Sequence, residues 1–163
     1  MEKDAKKNLK ITISIDVYNN TSELPNIYKK LLQEAKEATQ SAYAPYSQFF
    51  VGAAILLQDQ TIVRGNNQEN AAYPSGLCAE RVALFHAGAE NMGPIRTLLV
   101  LAKNAEDTLA NAFPCGACRQ VIMEYAMKQE QPIRVLMLLE SEQLIELEDA
   151  KSLLPFAFSA NAL

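Results

Sequence analysis

From Lys10 to Tyr18 the chain alternates polar and apolar residues. Ile11, Ile13, Ile15 and Val17 fall on one side, and Lys10, Thr12, Ser14 and Asp16 on the other. A period of two predicts a strand with one buried face. The period then lengthens. Leu24, Ile27, Tyr28, Leu31, Leu32, Ala35 and Ala38 recur every three or four residues, predicting a helix within 22–43 with Ser22 as its N-cap. The run PYSQFF at 45–50 ends it. Two strands follow, VGAAILLQ at 51–58 and TIVRGNN at 61–67, joined by a turn at Asp59–Gln60.

Beyond this hairpin the elements alternate. A helix is predicted from about Cys78 to Ala89, a strand over 97–103, a helix from about Cys115 to Met127, and a strand over 133–139. A short strand at Leu144–Leu147, a terminal helix near Asp149–Leu154 and the apolar PFAF at 155–158 complete the chain. Alternation of this kind predicts a three-layer α/β/α domain around a mixed five-stranded sheet. Parallel pairs are expected where a helix joins successive strands. No repeat, low-complexity tract or Gly/Ser linker divides the sequence. The expected organisation is an N-terminal extension over 1–22, carrying an extra edge strand, and one domain over 23–163.

Composition agrees with a single core: 163 residues, 49% hydrophobic and 21% charged. No apolar run reaches the ~20 residues that span a bilayer, so no membrane partner is expected. The charged N-terminus lacks a signal-type apolar segment, which points to the cytoplasm, where thiols stay reduced. Net charge is −4, and the one lysine-rich stretch, Lys3 to Lys10, sits at the chain end. Nucleic acid is therefore not an expected partner; a small neutral or weakly charged ligand is.

The chemistry gathers around three cysteines, all the chain has. Cys115 and Cys118 are spaced i, i+3, which puts both on one face of a first helical turn. A CxxC pair alone serves redox and zinc sites alike. Cys78, with Glu80 two residues on, favours zinc. A structural zinc site needs a fourth protein ligand, yet there is no fourth cysteine, and the single histidine, His86, lies eight residues beyond Cys78. Three ligands and an open corner is the catalytic arrangement.

Residues two apart on a helix point away from each other, so Cys78 must lie at the non-helical edge if it and Glu80 are to face one metal. A glutamate there can take a proton from water and return it to a substrate nitrogen. Three thiolates leave Zn²⁺ with a net −1, which opposes water ionisation. Two helix N-termini offset that charge, and Arg81 and Arg119 can hydrogen-bond the thiolates from outside. The alternative for both arginines is an ordinary surface ion pair.

The segments NNQENAAYPSGLCAERVALF and PCGACRQVI resemble the signatures of the small homotetrameric cytidine deaminases, three-cysteine type. The likeness runs from about Leu24 to Phe158, nearly the whole chain. It implies the cytidine deaminase-like fold, Zn²⁺ held by Cys78, Cys115 and Cys118, and Glu80 as proton shuttle. It also implies hydrolytic deamination of cytidine and deoxycytidine to uridine and deoxyuridine by a zinc-bound hydroxide, in pyrimidine salvage. By the same resemblance Asn67 and Glu69 bind the ribose, Phe49 packs on the base, and backbone groups of Ala79 and Pro114 read the pyrimidine edge. Phe158 reaches a neighbouring subunit's pocket, and Tyr73 lies in a loop used at subunit contacts. The structural alternative is a core role for Phe49 and Phe158 and a turn role for Asn67. His86 is assigned no catalytic part.

Rival readings differ in what they predict. A blasticidin-type antibiotic deaminase shares the chemistry and differs in substrate, and Glu69 with PFAF favours cytidine. A nucleic-acid deaminase conflicts with the acidic balance. A zinc-stabilised scaffold would bind no nucleoside, and a thiol oxidoreductase would hold no stoichiometric metal.

Overall fold

The computed structural model describes residues 7–129 and 131–160. The strands are β1 (Asp16–Tyr18), β2 (Phe50–Leu57), β3 (Ile62–Asn66), β4 (Ile95–Lys103), β5 (Leu109–Ala110), β6 (Arg134–Leu138) and β7 (Leu144–Leu147). They form one sheet in the order β1-β7-β6-β4-β2-β3, with β5 hydrogen-bonded to β4. β4 and β6 run parallel, with Thr97 opposite Arg134 and Val100 opposite Met137; the other pairs are antiparallel. The β4–β6 connection carries a helix, which gives the length that a parallel crossover needs.

Three helices cover the sheet: α1 (Asn26–Thr39), α2 (Ala79–Ala89) and α3 (Gly116–Lys128). On one face Leu31, Leu32 and Ala35 of α1 pack with Ala54, Leu56, Leu99, Leu101, Leu136 and Leu138. On the other, Ala83 and Leu84 of α2 and Ile122 and Ala126 of α3 pack with Ala53, Ile55, Leu98, Val100, Val135 and Met137. Successive residues of β4 therefore enter opposite cores. That is why its sequence is continuously apolar instead of alternating.

Two glycines let the helices sit close to the β2–β3 hairpin. A Cβ on Gly52 would stand 2.0 Å from the Ala35 carbonyl oxygen of α1, and one on Gly65 would stand 2.3 Å from the Ala79 carbonyl oxygen of α2. Gly65 thus fixes how closely the first turn of α2 approaches the sheet.

The structure corrects several expectations. The sheet has seven strands because the two-residue β5, too short for periodicity to reveal, adds to the five central strands and the edge strand. The strand expected over 10–18 is paired only at Asp16–Tyr18, opposite Leu144–Glu146 of β7. Ser22 does not cap α1. It lies in a short 3₁₀ turn, Thr21–Glu23, where the Asn20 side chain accepts from the Ser22 N–H. Pro25 holds Leu24 extended, so α1 begins after it. The terminal helix is a 3₁₀ turn, Ala150–Leu153, capped by Asp149. The turn after β2 has Gln60 at φ 76°, and Asp59 Oδ1 accepts from the Thr61 N–H.

Candidate metal and catalytic site

Cys78 and Cys115 are the N-caps of α2 and α3, with extended backbones at φ −75°, ψ 155° and φ −67°, ψ 170°. This is the non-helical position that the two-residue spacing of Cys78 and Glu80 demands. Neither helix start has a side-chain cap bond, which leaves first-turn N–H groups available to nearby anionic sulfur. Cys118 lies one turn into α3 and is fully buried.

Thirty-seven residues of sequence separate Cys78 from Cys115, and the packing of α2 beside α3 closes that gap. Sγ of Cys78 lies 3.8 Å from Sγ of Cys115, which lies 3.6 Å from Sγ of Cys118. All three sulfurs fall within 4.8 Å of one another, a trio able to hold a metal ion.

The surrounding groups polarise the trio. Cys78 is pulled down to about 5, first by its hydrogen bond with Cys118 and then by Arg81. Cys118 is pushed up, mainly by its hydrogen bond with Cys78 and by burial. Arg81 Nη2 donates to Cys78 Sγ at 3.6 Å and to the Gly76 carbonyl at 3.5 Å. Its Nε is buried with no hydrogen-bond partner among the described residues. Arg119 turns elsewhere: its Nε donates to the Pro114 carbonyl at 2.8 Å, bracing the loop before Cys115.

Glu80 is 3% exposed. Burial raises its pKa, as does the charge on Cys78, while its own N–H, the Cys118 thiol and Arg81 oppose the rise. A carboxyl in these surroundings is suited to carrying a proton.

A cavity of about 200 Å³ is lined by Phe49, Val51, Cys78, Glu80, Asn111, Phe113 and Cys115. A second, of about 470 Å³, is lined by Ser47, Phe49, Val51, Asn67, Glu69, Tyr73, Cys78 and Arg81 among others. Phe49, Val51 and Cys78 border both, so Cys78 is the member of the sulfur cluster that lies where the two hollows meet.

Asn67 and Glu69 have bonds that the sequence did not reveal. Asn67 Oδ1 accepts from the Val51 N–H and its Nδ2 donates to the Phe49 carbonyl, both at 2.8 Å, anchoring the start of β2. Glu69 accepts from the backbone N–H groups of Tyr46 at 2.9 Å and Ser47 at 3.3 Å. Its pKa is lowered, with the Ser47 side chain as the largest cause. Both residues thus hold the 45–50 loop that carries Phe49. Tyr73 is exposed and meets Tyr46 edge-on, ring centres 6.0 Å apart. Ala79 and Pro114 are buried. Phe158 is exposed, with its carbonyl accepting from Gln120 Nε2, and lines neither cavity. His86 is exposed on α2. Phe113 and Asn111 were given no role in the sequence reading. Phe113 directly precedes Pro114 in the cysteine motif, the one local hint of its place.

Residues 25–131 match the family described as cytidine and deoxycytidylate deaminase zinc-binding region. The chain belongs to this family. It is 43% identical over 135 residues to a cytidine deaminase of Sporosarcina psychrophila, covering 83% of this chain and 93% of that protein. It is 48% identical over 94 residues to one of Halalkalibacterium halodurans, covering 58% and 68%. The crystal structure of cytidine deaminase from Burkholderia pseudomallei is similar at TM-score 0.69 and 37% identity, covering 80% of this chain and 98% of that one. The family match spans all three cysteines and Glu80.

Proposed function

We propose that this chain is a zinc-dependent hydrolase that converts cytidine and deoxycytidine, with water, to uridine and deoxyuridine and ammonia. The observation that carries the reading is the sulfur trio with Glu80 buried beside it. Tetrahedral zinc with ~2.3 Å bonds to sulfur needs sulfurs about 3.8 Å apart, and the spacings of 3.8 and 3.6 Å fit. Cys78, Cys115 and Cys118 would hold the ion, and the fourth corner is left to a non-protein ligand. Zinc bound there supplies Lewis acidity, lowering the pKa of a water so that it can attack C4 of the pyrimidine.

The remaining work falls to the chain's own residues. Glu80 accepts the proton released by the attacking water and delivers it to ring N3. It then helps protonate the amine, which leaves as ammonia when the C4–N4 bond breaks. Phe49, on the border of the two cavities, supplies an aromatic face for the base. The smaller hollow beside Glu80 suits the pyrimidine and the larger, lined by Asn67 and Glu69, suits the sugar hydroxyls. A carboxylate at that position repels a phosphate, favouring nucleosides over nucleotides. Arg81 compensates thiolate charge, Arg119 fixes the Pro114 carbonyl, and backbone groups of Ala79 and Pro114 meet the polar edge of the base.

We further place the protein in pyrimidine salvage in the cytoplasm. No described helix is long and apolar enough to cross a membrane. We read the assembly as a homotetramer in which Phe158 and Tyr73 contact neighbouring subunits, and the exposure of both, with Phe156, supports a use for that surface. The 1–22 segment is an extension to the catalytic domain at 23–163.

The test is Glu80→Gln. It should retain one zinc per chain by elemental analysis and lose about 10²–10⁴-fold in cytidine turnover, read as ultraviolet absorbance loss. Normal turnover by the variant would sink the proton-shuttle role.

A further inference from the structure

Ahead of the sheet lies an apolar row that the domain itself leaves uncovered. Leu9, Ile11, Ile13, Ile15 and Val17 are 79%, 55%, 46%, 51% and 48% exposed. Every described residue from 7 to 17 is exposed, and 7–15 form no ladder with any described strand. This segment precedes the family match, which begins at residue 25.

An alternating row of five apolar side chains is the pattern of a strand, and an uncovered apolar strand at a sheet edge attracts another strand. β1 is the terminal strand of the sheet. It pairs with β7 along one side, Val17 opposite Ile145, and among the described residues no strand pairs with its outer side.

We propose that residues 9–17 form an intermolecular strand that pairs antiparallel with the same segment of a second copy, centred on Ile13. In that register Ile13 meets Ile13, Ile11 meets Ile15, and Leu9 meets Val17, so all ten apolar side chains share one face. On the other face Thr12 meets Ser14 and Lys10 meets Asp16, twice by symmetry. Opposite charges and paired hydroxyls directly across a ladder are stabilising contacts.

Other registers are poorer. A slip of one residue sets apolar positions of one strand against polar positions of the other. Symmetric registers displaced by two residues on either strand put Lys10 opposite Ser14 or Tyr18 and lose the ion pairs. Parallel pairing in register sets Lys10 on Lys10 and Asp16 on Asp16. The self-complementary charge pattern thus selects a second copy and one register. The partner strand would continue the sheet beyond β1, with its Lys10 and Leu9 beside Asp16 and Val17.

Cysteine cross-linking in the zinc-loaded 163-residue chain tests the register. Under mild oxidation Ile13→Cys should give a disulfide-linked dimer on a non-reducing gel. Lys10→Cys should not, because two copies of position 10 would lie six residues apart along the ribbon, about 20 Å, beyond the ~7 Å Cα reach of a disulfide. A mixture of Lys10→Cys and Asp16→Cys chains should link again. The unsubstituted chain, with its three native cysteines, sets the background. Failure of Ile13→Cys to link, or equal linking by Lys10→Cys alone, overturns the proposal.

Charge exchange gives a second readout. Lys10→Asp and Asp16→Lys should each weaken association about tenfold by light scattering across a dilution series, and the double exchange should restore it. Association unchanged by both single reversals overturns the pairing. Cytidine turnover is measured in parallel; these residues lie outside the site, so loss of pairing with retained turnover separates this inference from the catalytic one.

Discussion

Gly65→Ala is the sharpest probe of how the fold sets the metal site. The added Cβ would lie 2.3 Å from the Ala79 carbonyl oxygen, 2.5 Å from the Ala83 nitrogen and 2.9 Å from the Ala83 Cβ. The first two are backbone atoms of α2, so no side chain can swing aside. Ordinary contact begins near 3.4 Å, and relief requires α2 to move off β3 by about 1.1 Å. Its N-cap is Cys78, and Glu80 lies in its first turn. A metal site tolerates about ±0.2 Å in its ligand distances, whereas this shift would be shared by one of three sulfurs and by Glu80, the proposed proton carrier. Overpacking should cost about 1–3 kcal/mol, and each kcal/mol lowers Tm by about 2–4 °C for a chain of this size. Misplacement by about 1 Å should lower turnover by up to ~10²-fold. Calorimetry with and without a chelator, zinc content and cytidine turnover read these effects together. Wild-type Tm, full zinc and undiminished turnover in the variant would refute the claim that the β3–α2 approach sets Cys78. A loss of stability with full turnover would confine Gly65 to packing.

Two further outcomes follow from the site and the sheet edge. Arg81→Gln removes the cation beside Cys78 and should speed zinc loss to a chelator, weakening affinity about 10–100-fold, as read by competition with a chromogenic chelator. An unchanged affinity would show that the guanidinium contributes nothing to the thiolates. At the other end of the sheet, the Tyr18 hydroxyl donates to Glu146 Oε2 at 2.9 Å, and the phenol is raised to about 12, first by burial and then by this bond. The folded state therefore keeps a proton that an unfolded tyrosine releases near pH 10. The stability this contributes is complete below about pH 10 and falls as pH rises toward about 12. Tyr18→Phe should flatten that part of the urea-midpoint profile relative to the unsubstituted chain; parallel profiles would remove the linkage.

Local chemistry made much of the site legible. The i, i+3 spacing of Cys115 and Cys118 and the position of Glu80 two residues after Cys78 pointed to sulfurs gathered beside one carboxyl, and Cys78, Glu80 and Cys115 do line one cavity. Each spacing is a relation over a few residues. Asn67 and Glu69 show the opposite case: their residue types suit hydroxyls, yet their observed bonds run to backbone 16 to 23 residues away. Arg119 likewise sits one residue past Cys118 but spends its Nε on the Pro114 carbonyl, a choice that depends on how the loop returns.

By itself the sequence determined the helices, the central strands, the layer architecture and which cysteines to look for as a candidate metal-binding trio. These depend on hydrophobic period and on near neighbours, which a linear chain carries in full. Tertiary structure alone decided the strand order, the parallel β4–β6 pair, the 37-residue closure of Cys78 onto Cys115, and how much of the 10–18 strand finds a partner. Those outcomes rest on pairings between distant segments, where the competing arrangements bury similar apolar area. Glycine at 52 and 65 shows the difference in physical terms. In the sequence each is only the absence of a side chain; in the fold each is the space that lets a helix reach the sheet.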